Sequence, residues 1–301
     1  MELPLVVGVD GSEPSLRAVD WAADEAALRG LPLRLVYASL WERYEGTSLA
    51  KDLGKPAEQV MAEDIVATSA RRALSRRPDV KVTTDVLPEE PEYALLREGR
   101  TAAAMVLGSR GRSSLAEALL GSVSVTVAGH AHCPVIVLRG SHVNQVRAGA
   151  RRIVLGVGET ADAAAVRFAV EEARLRGVPL EAVRAWRSPA YETTDHTLPA
   201  GGRFPKLSAA LREGVPARPH EEQATEELEA ALRDIPADVE VHRRTVEGQA
   251  RRVLLDASAD ADLLVVGARR REGRFGLQLG PVAHTVLHHS ACPVAVVPQR
   301  G

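Results

Sequence analysis

Gly108-Ser109-Arg110-Gly111, followed after residues 112–120 by Gly121-Ser122, is the stretch from which the fold can be read. Ala102-Ala103-Ala104-Met105-Val106-Leu107 leads into it, an apolar run with the length of a buried strand and too short for a helix. Val123-Ser124-Val125-Thr126-Val127-Ala128 leads out of it and predicts a helix opened by a serine cap. A strand ending in glycines and running into a helix is a common way to hold phosphate. Glycine lets the backbone approach the anion, and the N–H groups at a helix N-terminus have no partners within the helix. The same glycines would equally serve as plain turns of an α/β fold. Taken alone, the loop leaves both readings open.

The chain supplies its own comparison. Pro4-Leu5-Val6-Val7-Gly8-Val9-Asp10 is echoed by Arg152-Ile153-Val154-Leu155-Gly156-Val157-Gly158, and Arg29-Gly30-Leu31-Pro32-Leu33 by Arg176-Gly177-Val178-Pro179-Leu180. Ala104-Met105-Val106-Leu107-Gly108 is echoed by Asp262-Leu263-Leu264-Val265-Val266-Gly267, and Cys133-Pro134-Val135-Ile136-Val137 by Cys292-Pro293-Val294-Ala295-Val296. Landmarks repeated in the same order predict two copies of one domain, residues 1–140 and 151–301, joined by a polar linker.

Each copy alternates strand and helix. In the first, strands are expected near 3–10, 33–39, 80–87, 102–107 and 135–138, with helices near 14–29, 57–76, 92–100 and 123–128 between them. In the second, strands are expected near 153–157, 180–185, 238–245, 262–267 and 294–297. This alternation implies right-handed crossovers and a parallel sheet covered on both faces. The fold class is therefore α/β, with two tandem Rossmann-like, doubly wound domains, each a five-stranded parallel sheet in the order 3-2-1-4-5. In that order the winding reverses between strands 1 and 4, and the ligand crevice lies beyond their carboxyl ends. Strand 1 ends at Asp10-Gly11-Ser12 and strand 4 at Gly108, so two loops far apart in sequence should meet.

Composition narrows the ligand. With 38 basic against 40 acidic side chains and no long run of one sign, nucleic acid and anionic membranes are poor partners. An aromatic content of 3% also argues against base-stacking platforms. No apolar run reaches membrane-spanning length and no signal-peptide pattern opens the chain, so a cytoplasmic location is expected. Cys133 and Cys292 imply no disulfide framework and read as small core residues.

The loop lacks the Lys-Ser or Lys-Thr of a Walker A motif, and it follows strand 4 without the Gly-x-Gly-x-x-Gly of a dinucleotide fold. Phosphate would be met by backbone N–H groups, by the Ser109, Ser122 and Ser124 hydroxyls, and by Arg110 or Arg112. Asp10 is the carboxylate placed to help hold Mg²⁺ or to contact base or ribose, unless it serves only to cap the first helix. The loop carries no general base, which favours binding with slow or absent hydrolysis.

Gly-x-x-Gly-x9-Gly-Ser after the fourth strand, Val-Gly-Val-Asp-Gly-Ser at the first and the closing Cys-Pro-Val strand together resemble the universal stress protein family, twice over nearly the whole chain. The resemblance implies ATP or AMP binding in one branch of the family and no nucleotide in the other. It carries Gly108, Arg110, Gly111, Gly121, Ser122, Val123 and Ser124 onto the phosphate and ribose side. Asp10 falls near the adenosine, and Ala38, at the end of strand 2, near the adenine. In the family the last strand pairs between protomers. That implies an intrachain pseudo-dimer here and leaves a homodimer open. The function so implied is an ATP-binding, nucleotide-responsive stress regulator with one competent site, Mg²⁺ being left open. A pure interaction module and a slow ATPase are the alternatives.

The second copy departs at the decisive positions. Arg270 stands for Gly111, Pro281 for Ser122 and Gly158 for Asp10, which removes the space, the hydroxyl and N–H, and the carboxylate. Arg269, Arg270 and Arg271 read as a solvated basic loop. His284, His288, His289 and Cys292 could share a metal-binding face, as could His130, His132 and Cys133, but neither set has the ligands of a closed site, and no metal is expected. The Pro- and Gly-rich stretch 187–219 reads as a surface insertion.

Overall fold

The computed structural model describes residues 2–40, 57–109, 120–139, 152–158, 162–187, 218–268 and 279–299. The linker, the 188–217 part of the insertion and the Arg269–Arg271 cluster lie outside them. The first half contributes β1 (Leu5–Gly8), α1 (Glu13–Arg29), β2 (Leu33–Ala38), α2 (Ala57–Arg76), β3 (Val82–Leu87), α3 (Pro91–Glu98), β4 (Ala104–Gly108), α4 (Ser122–His130) and β5 (Val135–Leu138). The second contributes β6 (Ile153–Gly156), α5 (Ala163–Arg176), β7 (Leu180–Trp186), α6 (Arg218–Ala231), β8 (Val241–Glu247), α7 (Ala250–Ser258), β9 (Leu263–Ala268), α8 (Pro281–His289) and β10 (Val294–Pro298).

Local chemistry sets the same boundaries twice. Ser12 caps α1 with its side chain, Pro14 sits in the first turn, and Gly30 ends the helix at φ 66°. Asp162 caps α5, bonding the N–H groups of Ala164 and Ala165, and Gly177 ends it at φ 63°. A left-handed residue after the last turn lets its N–H reach back to the helix carbonyls, and glycine adopts that conformation without a Cβ penalty. Ala18, Val19, Ala22, Ala23 and Ala26 form the buried face of α1, small enough for the helix to lie close on the sheet.

The strands order as β3-β2-β1-β4-β5-β10-β9-β6-β7-β8 in one ten-stranded sheet. Each half is parallel and runs 3-2-1-4-5, and the halves meet where β10 pairs antiparallel with β5. There Val294 faces Val137, Ala295 faces Ile136 and Val296 faces Val135. The apolar last strand of each half would be an exposed edge in isolation, and pairing removes that liability. Pleating sends alternate side chains into two layers. Leu5, Val7, Leu35, Val106, Ile136, Ile153, Leu155 and Ala295 face α1, α2, α5 and α6. Val6, Met105, Leu107, Val137, Val154, Leu264 and Val296 belong to the opposite layer. Both layers run across the seam. No helix among the described residues is long and apolar enough to cross a membrane.

Two expectations shift. The strand expected at 80–87 begins at Val82 and that expected at 238–245 begins at Val241, because the buried Val80 and Val239 lie in the turns ahead of them. The helix after the glycine loop begins at Ser122, with Gly121 as its extended N-cap and no side-chain capping bond, which corrects the expected serine cap.

Candidate functional site

The sheet register assembles the site. Gly8 of β1 lies beside Leu107 of β4 and beside Val36 of β2, so Asp10, Gly108 and Ala38 come off neighbouring strand ends. The Val9 N–H donates to the Val36 carbonyl, extending the β1–β2 contact to the edge of the sheet.

Asp10 organises the turn into α1. Its Oδ1 accepts from the Ser12 backbone N–H at 3.0 Å and from the Ser12 hydroxyl at 2.6 Å. The Ser15 hydroxyl donates to the Ser12 carbonyl at 2.9 Å, and Gly11, between Asp10 and Ser12, takes φ 79°. Asp10 is thus not the cap itself; it holds the residue that is. Gly108 packs directly on the start of α1. A Cβ there would stand 2.7 Å from the Pro14 carbonyl carbon and 2.8 Å from the Ser15 nitrogen. Only glycine lets the end of β4 and the first turn of α1 come that close.

The glycine loop is pinned at its base. The Gly121 N–H donates to the Ser109 carbonyl at 2.9 Å, so the chain leaves and re-enters the site at one place. Ser109 is buried, and the buried Ser124 hydroxyl donates to the Gly108 carbonyl at 2.8 Å. That bond commits the Ser124 proton to structure rather than to a phosphate. The Ser122 hydroxyl is turned toward Glu92 Oε1 at 3.5 Å. Val123 packs its side chain on the apolar layer beneath α4. What α4 presents at the crevice is its first-turn N–H groups, with no side-chain cap among the described residues. Arg110 and Gly111 lie outside the described residues.

Asp10, Ala38, Gly108 and Gly121–Ser124 are therefore brought to one edge. Sequence reasoning missed Ser12, Ser15 and Glu92. The first two carried a signal, a Ser-x-x-Ser spacing directly after Asp10-Gly11. Glu92 carried none, since only tertiary packing sets it against Ser122.

The second half repeats the frame with different contents. Val157 donates to the Val183 carbonyl as Val9 does to that of Val36, which puts Gly158 where Asp10 stands. Gly280 is the extended N-cap of α8, and Pro281 follows it as the first helical residue. Proline removes one of the first-turn donors. Asp162 occupies the contact between β9 and α5: a Cβ on Gly267 would lie 2.1 Å from its Oδ2. The Asp162 carboxylate, which caps α5, thus packs against the end of β9.

The signature of the universal stress protein family is matched at residues 3–139 and again at 149–298. A universal stress protein of Mycobacterium tuberculosis is 32% identical, the alignment covering 98% of this chain and 97% of the relative. Another from the same species is 31% identical, covering 99% and 96%. Among solved structures, a universal stress protein from Archaeoglobus fulgidus superposes with a TM-score of 0.67 at 17% identity, covering 99% of this chain and 98% of that one. A functionally unknown protein from Pseudomonas aeruginosa superposes with a TM-score of 0.61 at 16% identity, covering 98% and 92%. Matched in both halves and over nearly its full length, the chain belongs to the universal stress protein family.

Proposed function

We propose that the N-terminal domain, residues 1–140, binds an adenine nucleotide, ATP in the first instance, and that the protein acts as a nucleotide-responsive regulator. One observation carries this reading: the uncapped start of α4, pinned to Ser109, opens on the same switch point as Asp10. Uncapped helix N–H groups favour an anion, and the helix dipole adds to the attraction. The residues present suit the group. The N–H groups of Ser122, Val123 and Ser124 would hold phosphate, Arg110 and Gly111 would complete the loop around it, and Asp10 and Ala38 would face the nucleoside. Bound ATP would supply a reporter of cellular energy state rather than a reactant. Both carboxylates described at this edge already hold serine hydroxyls, Asp10 that of Ser12 and Glu92 that of Ser122, which supports slow or absent hydrolysis. The C-terminal domain, residues 151–301, serves as a structural or regulatory partner, with Gly158 in place of Asp10 and Pro281 in place of Ser122.

The test is direct. Purified protein is denatured and the supernatant assayed for ATP and AMP, and the apo protein is then titrated with ATP, with and without Mg²⁺, in a thermal-shift assay. Copurified nucleotide or a concentration-dependent rise in Tm is expected. Neither signal, from protein that is folded, would leave the pure interaction module as the function.

A further inference from the structure

The seam between the halves is built around a pseudo-two-fold axis. Residues 133–137 of the first half correspond to 292–296 of the second, and Ile136 of β5 lies opposite Ala295 of β10. These two are each other's counterparts in the repeat, so the axis passes between them. On either side Val135 faces Val296 and Val137 faces Val294. The flanking positions are valine in both halves, and valine meets valine whichever halves are paired. Among these described pairs, the central one alone joins unlike residues.

The helices over the seam repeat the symmetry. Trp21, Glu25 and Arg29 of α1 recur on α5 as Phe168, Glu172 and Arg176, with the four-residue spacing that puts each set on one helix face. Arg29 bonds Glu25 on its own helix and Glu172 across the seam; Arg176 bonds Glu172 on its own helix and Glu25 across it. Each guanidinium also lies over the aromatic ring of the opposite helix, Arg29 over Phe168 and Arg176 over Trp21, both at 5.4 Å. Both glutamates are buried, and two carboxylates are matched by two guanidiniums. Each helix brings one glutamate and one arginine at the same positions, so α1 could meet a second α1 with the same bonds. The charged crossing is blind to which halves it joins.

Volume is not. Ile136 and Ala295 are 1% and 0% exposed and belong to the same layer, beneath α1 and α5. Side chains directly opposite in an antiparallel pair stand about 4.5–5.5 Å apart at Cβ, so each sets the room the other has. Two N-terminal halves would press isoleucine against isoleucine in space packed for one. Two C-terminal halves would set alanine against alanine and leave a hole. Close-packed interiors resist both changes.

We propose that Ile136 and Ala295 are the specificity-determining pair of the seam. A large residue opposite a small one admits the unlike half and rejects a like one, so the N-terminal half takes the C-terminal half of its own chain rather than the N-terminal half of a second copy. The charged crossing sets the orientation of the halves, and the central pair identifies them. Every seam so formed joins one half with Asp10 at its first strand end to one with Gly158.

The discrimination can be measured within the full-length chain. Trading two unlike seams for two like ones replaces two Ile–Ala pairs by one Ile–Ile and one Ala–Ala pair. A double-mutant cycle compares the same pairs. Ile136→Ala builds Ala–Ala into the seam, Ala295→Ile builds Ile–Ile, and the double variant restores an unlike pair with the residues exchanged. In urea, Ile136→Ala is expected to raise the unfolding constant by about thirtyfold or more, and Ala295→Ile by about fivefold or more. The double variant should be more stable than the product of those losses predicts, by about tenfold or more.

Light scattering after refolding supplies a readout that packing within one chain would not move. A linker as short as residues 141–150 holds the halves at an effective concentration of about 1 mM. At a chain concentration of about 0.1 mM, the single variants, in which like and unlike seams are equal, should show a minor species of twice the wild-type mass. Wild type and the double variant should lack it. Losses that simply multiply, or the same mass distribution in all four proteins, would overturn the proposal. Should Ala295→Ile fail to fold, Ala295→Val closes the same cycle with a smaller step.

Discussion

Gly108 and Pro14 touch backbone to backbone: a Cβ at Gly108 would stand 2.8 Å from the Pro14 carbonyl oxygen. No side chain is available to move aside, so Gly108→Ala must push α1 away from the end of β4. The variant is expected to lose about 1–3 kcal/mol in urea unfolding, as overpacked sites do. It should also lose nucleotide affinity, because Asp10 and α4 move apart with the two elements.

Gly267→Ala tests the counterpart in the second half, and its outcome should differ in kind. The obstacle there is the Asp162 side chain, which can rotate away. The expected loss is that of the α5 cap, about 0.5–2 kcal/mol. Nucleotide binding to the N-terminal domain should be unchanged in the same thermal-shift titration.

Asp10→Ala removes the acceptor of the Ser12 backbone and hydroxyl bonds. A hydrogen bond to a charged acceptor contributes about 1.5–3 kcal/mol, and the two here share one oxygen of a partly exposed carboxylate, so stability should fall by about 1–3 kcal/mol. Affinity for ATP should drop by about tenfold or more. Calorimetric titration of Asp10→Ala beside Asp10→Asn separates lost charge from a lost turn, since Asn keeps an acceptor for Ser12.

The two thiols should be inert while the chain is folded. Cys133 and Cys292 are both buried, and burial pushes the Cys292 thiol from 9.0 up to about 11. At pH 8 a disulfide reagent that detects thiolate should therefore count no thiols in native protein and both after urea is added. Reaction of Cys292 in the native state would show that its end of β10 opens locally.

His288 should titrate below the ordinary histidine range. Burial lowers its pKa first, followed by the charges of His284, His289 and Arg139. Arg139 also donates to the His288 carbonyl, which fixes that positive neighbour in place. As pH falls through 6.5 the unfolded chain takes up this proton before the folded one, so this residue withdraws stability on acidification. Two-dimensional NMR of the imidazole protons, with His288→Gln for assignment, reads the value directly.

Duplication is what made the fold legible. Strand ends such as Gly8 and Gly156 could be matched to each other, so topology followed from the repeat without any long-range prediction. Asp10 and Gly108 were placed together by strand order alone, and the register puts them there. Hydroxyl destinations were not legible. Ser124 turns to the Gly108 carbonyl and Ser122 to Glu92, choices made by packing between α3, α4 and β4 that no spacing records. The crossing of α1 and α5, where Arg29 and Arg176 each bond both Glu25 and Glu172, was invisible for a related reason. A glutamate four residues before an arginine is usual on a wet helix surface, and only the crossing of α1 and α5 makes it dry.

The antiparallel meeting of β5 and β10 has a directional consequence. Because every strand within a half points the same way, the carboxyl ends of β1 and β4 emerge on one rim of the sheet and those of β6 and β9 on the opposite rim. The two switch points therefore look away from each other, and one small molecule could not bridge them. Any influence of one on the other has to travel through the sheet, by way of Ile136 against Ala295 and the charged crossing above them. A partner protein could read the state of the N-terminal rim while grasping the C-terminal one, without its two contacts competing for space.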